Sequence, residues 1–130
     1  MALNLTSRLQ VTAHHFWNRR NAAALGVPGL EIIEGHAPAV LQALPSPGAI
    51  FIGGGASDPA MMDTAIAALP CGGRLVVNAV TLATESLLIA KHAALGGELI
   101  RVAIARAGAL GSTAGWRPAM PVMQWTWVKA

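Results

Sequence analysis

Charge is scarce in this sequence. Of its 130 residues only 12% are Asp, Glu, Lys or Arg, while 54% are hydrophobic. So little polar cover argues against a solvated helical bundle and for a sheet buried on both faces, in one domain large enough for a real core. It also implies apolar surface that needs a partner. Cysteine is nearly missing. Cys71 stands alone, which excludes an internal disulfide and fits a reducing, cytoplasmic setting. With no histidine near it in sequence, Cys71 reads as a small buried or loop residue rather than a nucleophile. No apolar run approaches a membrane span and no signal-peptide pattern opens the chain, so no membrane partner is expected. The nine Lys and Arg residues are scattered, with no basic run and no aromatic-interleaved basic strand. A net charge of +3 therefore does not make nucleic acid an expected partner, and a small acidic ligand suits it as well. Metal ligands at usable spacing are absent: the four histidines are dispersed, and His14 and His15 are neighbours that point to different sides of a helix. No metal is expected.

What is present is clear punctuation around one stretch, Ala49-Ile50-Phe51-Ile52-Gly53-Gly54-Gly55-Ala56-Ser57-Asp58-Pro59. Four apolar residues, β-branched and aromatic types among them, read as a short buried strand. The glycines make a turn, and lacking side chains they let a ligand approach the backbone. Asp58 is a good N-cap, and Pro59 suits the first helical position, where no N–H is needed. Strand, glycine turn and helix together place ligands at the carboxyl edge of an open α/β sheet.

In chain order, Leu9–Ala13 suggests a short strand and His14–Leu25 a helix, closed by Gly26 and Pro28. Leu30–Glu34 is a strand, Ala39–Leu44 a short helix and Pro45–Gly48 a turn. Pro59–Leu69 is a helix with Met62, Ile66 and Leu69 on one face. Arg74–Val80 is a buried strand, and Thr81 caps a helix over Leu82–Leu95 that Gly96 and Gly97 end. Glu98–Arg106 alternates, with Ile100, Val102 and Ile104 on one side; Gly108–Pro121 reads as a loop; Val122–Lys129 alternates again, with Met123, Trp125 and Trp127 together. With only a loop between them, these last two strands should pair antiparallel. The order β-α-β-α-β-α-β-β is an α/β sheet with an antiparallel edge.

Four segments together then carry a resemblance: Gly35-His36-Ala37-Pro38, Ala49-Ile50-Phe51-Ile52-Gly53-Gly54-Gly55, Gly72 to Thr81, and Gly115-Trp116-Arg117-Pro118-Ala119-Met120-Pro121-Val122. From about Asn21 to Lys129 the chain resembles the methyltransferase domains of the decarboxylating precorrin-6Y C5,15-methyltransferases. The resemblance implies a Rossmann-like class I S-adenosylmethionine-dependent methyltransferase fold, a mostly parallel sheet with an antiparallel C-terminal strand pair. It implies S-adenosyl-L-methionine as cofactor, a tetrapyrrole substrate, and a reaction in cobalamin synthesis that methylates a precorrin and removes a carboxyl group from an acetate side chain. That family opens with a strand and a Gly-x-Gly-x-Gly loop around the methionine part of the cofactor, then an acidic residue that holds the ribose. Here no glycine precedes Gly26 and no acid precedes Glu31. The chain thus looks like a family domain shortened at its amino end, with residues 1–20 an uncertain segment and 21–130 a partial methyltransferase domain.

The resemblance carries Gly35, His36, Ala37, Gly53 and Gly54 over as cofactor-binding residues, with His36 near the adenine. Gly55, Asn78, Thr81, Arg106 and Arg117 are candidates for the substrate, the two arginines because a guanidinium binds a carboxylate through two parallel hydrogen bonds. Each also has a plainer role: a solvent-facing histidine, a strand-end amide, a solvated arginine. Trp116 either covers a macrocycle face or packs its loop. No general acid or base stands out, and a transfer that depends on in-line geometry can proceed without one. Two functions remain: a precorrin methyltransferase, or a non-catalytic, partner-dependent remnant of that fold acting as an assembly subunit. Loss of the central first strand leaves an open edge on Ala49–Ile52 unless Leu9–Ala13 fills it. With so little charge and with Met123, Trp125 and Trp127 on one face, a homo-oligomer, most simply a two-fold dimer, is expected.

Overall fold

A computed structural model describes residues 10–11, 20, 23–26, 32–33, 46–53 and 58–130. Strands β1 (Gln10–Val11) and β2 (Ile32–Ile33) form a parallel pair. They fall inside the strands expected at Leu9–Ala13 and Leu30–Glu34. The larger unit begins at β3 (Ala49–Ile52) and continues through helix α1 (Pro59–Ala68), β4 (Arg74–Ala79), helix α2 (Leu82–Leu95), β5 (Glu98–Val102), β6 (Ala105–Leu110), β7 (Thr113–Pro118) and β8 (Val122–Val128).

Local chemistry sets the helix limits. The Asp58 carboxylate accepts from Ala60 N at 2.9 Å and Pro59 occupies the first turn, so α1 starts with its orphan donors reduced. Thr81 Oγ1 accepts from Thr84 N at 3.3 Å and starts α2 in the same way. At the other end Gly96 adopts φ +74° and its N–H returns to His92 O at 2.8 Å.

The main sheet has the order β3-β4-β8-β5. β3 and β4 are parallel, while β8 runs antiparallel to β4 on one side and to β5 on the other. The antiparallel pairing of the last two main-sheet strands is thus present, and β8 sits inside the sheet with β5 at its edge. Among the described residues the other side of β3 has no strand partner, and β1 is bonded to β2 instead.

Alternation along the strands sends Leu75, Val77 and Ala79 of β4 and Met123 and Trp125 of β8 to one face, where they pack with Ile52, with Met62, Ala65 and Leu69 from α1 and its end, and with Leu88 of α2. Trp125 is fully buried and its indole N–H donates to Gly96 O at 2.9 Å; the stacked Trp127, 6.1 Å away, donates to Leu95 O at 3.2 Å. The two rings therefore serve as donors for the carbonyl end of α2. Lys129 does the same for α1, its Nζ reaching Ile66 O at 3.0 Å and Leu69 O at 2.7 Å.

Three expectations change. Met123 and Trp125 are core residues, so they offer no surface to a partner. The strand expected through Arg106 stops at Val102, and Ile100, Val102 and Ile104 are exposed; Leu99, on the opposite side, packs against the core. The segment expected as a loop from Gly108 is instead most of a hairpin, β6–β7, paired from Ala105↔Pro118 to Leu110↔Thr113. Its turn is Gly111-Ser112, with Gly111 at φ +61° and the Thr113 hydroxyl donating to Leu110 O at 3.0 Å. Positive φ at the first of two turn residues matches strand twist, and glycine reaches it without strain.

Candidate active site at the carboxyl edge

The carboxyl ends of β3, β4 and β5 lie along one edge, because all three run the same way beside β8. Gly53 leaves β3 there, exposed, with the ring of Phe51 3.0 Å from where its Cβ would stand. Its φ is not in the left-handed region, so tight contact with Phe51 is what a side chain would meet. Gly54 and Gly55, like Gly35, His36 and Ala37, lie outside the described residues.

At the end of β4 the half-buried Asn78 is held across the ladder: its Oδ1 accepts from Gln124 Nε2 at 2.9 Å, and the two residues are register partners. Thr81 follows, exposed, its hydroxyl engaged by Thr84 N and lying 3.0 Å from the Thr84 hydroxyl. Both candidates therefore stand at the expected edge, each already tied into the frame. Gln124 was not among the candidates; its place opposite Asn78 comes from a cross-strand register that no local sequence pattern specifies.

The β6–β7 hairpin springs from the same edge, since Val102↔Val122 and Ala79↔Met123 bring the ends of β5 and β4 to the start of β8. The bond from Ala119 N to Ile104 O, 2.8 Å, closes its base. One pair above the base, Arg106 and Arg117 face each other directly. Both are exposed, and Arg117 donates through Nη2 to Ala109 O. Trp116, 75% exposed, is paired with Ala107 and belongs to the opposite face. A third arginine near this edge, Arg101, is instead committed to Glu85 of α2 at 2.6 Å. Among the described residues no cluster of three or more His, Cys, Asp or Glu is placed to hold a metal ion, and no helix is long and apolar enough to cross a membrane.

The model of the precorrin methyltransferase domain matches residues 10–129. The chain belongs to that family. It is 60% identical over 110 residues to a precorrin-6Y C(5,15)-methyltransferase [decarboxylating] of a Sinorhizobium species, covering 85% of this chain and 27% of that protein. The corresponding Mycobacterium tuberculosis protein is 41% identical over 109 residues, with 84% and 27% covered. The chain thus spans about a quarter of the length of these curated relatives. Among solved structures, the C-terminal domain of the precorrin-6Y C5,15-methyltransferase of Rhodobacter capsulatus superposes with a TM-score of 0.82 at 38% identity, covering 93% of this chain and 67% of that one. The strand order, the internal antiparallel β8 and these neighbours make the fold that of the Rossmann-like class I S-adenosylmethionine-dependent methyltransferases.

Proposed function

We propose that this chain contributes to S-adenosylmethionine-dependent methylation, with decarboxylation, of a precorrin in cobalamin synthesis. The observation that carries this is its 60% identity, over 110 residues, to a precorrin-6Y methyltransferase. The described residues suit the cofactor there: Gly53 offers bare, exposed backbone where β3 ends, beside the end of β4. In this reading Gly35, His36, Ala37, Gly53 and Gly54 hold the cofactor, and Gly55, Asn78 and Thr81 border the substrate. The bound cofactor supplies an electrophilic methyl group. The chain's task is to hold that group in line with a carbon of the macrocycle, and Gln124 keeps the Asn78 amide in one orientation for it.

The test is calorimetric titration with S-adenosylhomocysteine. The 130-residue polypeptide contains no Gly-x-Gly-x-Gly segment and no acid before Glu31. Each charged or bidentate contact it forgoes is worth roughly 1.5–3 kcal/mol, so binding should be weaker than in a family domain that has both by ~3 kcal/mol or more. Weak, saturable binding is the expected result. Its complete absence at millimolar ligand would overturn the cofactor assignment.

The same reading includes a homo-oligomer. Phe51 lies 64% exposed on β3, whose outer side has no described strand partner, and the hairpin adds Leu110 and Trp116, also largely exposed. Light scattering at micromolar concentration should give a multiple of 13.4 kDa. A monodisperse monomer that melts cooperatively would remove this part of the proposal.

A further inference from the structure

Helices α1 and α2 pack on the same side of the main sheet, against the face that holds Leu75, Val77, Met123 and Trp125. Alternation sends the residues between these to the other face, which neither helix covers. Apolar side chains stay open there. Phe51 is 64% exposed, Val128 48% and Ile100 40%, with Val76 half-buried beside Phe51.

The four strands also bring two charges to this face, one of each sign. Arg74 lies opposite Val128 and Glu98 opposite Thr126, so β8 runs between them. By strand spacing and rise their roots stand about 12 Å apart. Neither has an ion-pair partner: among the described residues the pairs are Lys91–Asp63 and Arg101–Glu85.

An apolar face with one unpaired cation and one unpaired anion is complementary to itself. A two-fold axis in the plane of contact sets Arg74 against the partner's Glu98 and Glu98 against the partner's Arg74. Such an axis crosses β8 between Thr126 and Val128, which stand midway between the two charges. Val128 then meets its own copy, and Phe51, Val76 and Ile100 are covered around it. The contact is centred toward the start of β4, so Gly53 and Asn78, at the carboxyl edge, lie at its rim.

We infer that this bare face is the contact between two copies of the chain, packed sheet to sheet about that axis, with each Arg74 on the partner's Glu98. This rests on the proposed homo-oligomer and assigns it a surface. Apolar burial drives the contact, while exposed ion pairs add little affinity and fix the orientation.

Sedimentation of the 130-residue chain across micromolar concentrations tests it. Wild type should run at twice 13.4 kDa. Arg74→Glu and Glu98→Arg each set like charges together at two places in the contact. Each should raise the dimer dissociation constant by roughly tenfold to a hundredfold. Mixed in equal amounts, the two variants should restore the wild-type dimer, because every charge again meets its opposite; that recovery also shows that both fold. Val128→Asp brings two carboxylates together near the axis and should weaken association without rescue by either variant. A wild-type monomer overturns this contact together with the homo-oligomer, the face then being covered within one chain or left bare. A wild-type dimer that neither Arg74→Glu nor Glu98→Arg weakens overturns the face and leaves assembly through another surface. Variants that dissociate singly and fail to recover on mixing overturn the pairing about this axis.

Discussion

The body of the domain and the hairpin that rises from it are built on opposite terms. In the body, β4 and β8 bury alternate residues completely, and polar groups at the helix ends are answered by side chains from β8 and its end: Trp125 and Trp127 for α2, Lys129 for α1. In the hairpin no residue is buried; Gly108 and Gly115 are half-exposed and the rest are open to solvent. Burial decides the structure of the first, whereas turn geometry and register alone decide the second. A two-stranded hairpin without a covered face is marginal by itself, so its shape is maintained by its closed base and its glycine turn. The side chains freed from packing are the ones available for a ligand.

Substitutions should separate the two regions sharply. Trp125→Ala removes the largest fully buried side chain and the donor for Gly96 O together, and should cost about 3–5 kcal/mol, read as a large fall in melting temperature or as failure to fold. Lys129→Met keeps the aliphatic stem but strands the carbonyls of Ile66 and Leu69; urea unfolding should show a loss of about 1–2 kcal/mol with an unchanged m-value. Gly111→Val forces a β-branched residue to φ +61° at the hairpin tip. That should cost about 1 kcal/mol at most in global unfolding, yet speed amide exchange selectively in residues 105–118. A global loss as large as that of Trp125→Ala would show that hairpin and body are one cooperative unit and end the contrast.

Most of the body was legible because each of its signals had a single meaning. Asp58-Pro59, Thr81 and Gly96 mark helix ends by local hydrogen bonding, and the alternation in Val122–Lys129 marks a strand with Met123, Trp125 and Trp127 on one side, although that side was expected to face a partner and Met123 and Trp125 lie in the core. The hairpin was misread for a physical reason. Its strands are made of Ala, Gly and Arg, which lack the β-branched and aromatic character that marks strands, so only the Gly111-Ser112 pair was left to announce it. Ile100, Val102 and Ile104 misled in the other direction: a strand at the sheet edge can alternate cleanly while its apolar side faces solvent. At the candidate site, the positions of Asn78 and Thr81 followed from the strand and cap around them. The Gln124 tie, and the fact that Arg106 and Arg117 face each other, depend on pairing registers that no local pattern specifies.

The position of β8 has a kinetic consequence. Strand β8, which follows the hairpin in sequence, lies between β4 and β5, so β5 has no strand partner and β4 has only β3 until the residues from Val122 to Val128 arrive. On a ribosome, β4 and β5 must wait with open apolar edges while the whole hairpin is synthesised, and the contacts that end the wait join residues far apart in sequence. Completion therefore waits for β8 and is abrupt. Until then the chain is at its most exposed to aggregation, and the few residues that close the sheet also tie down the ends of both helices.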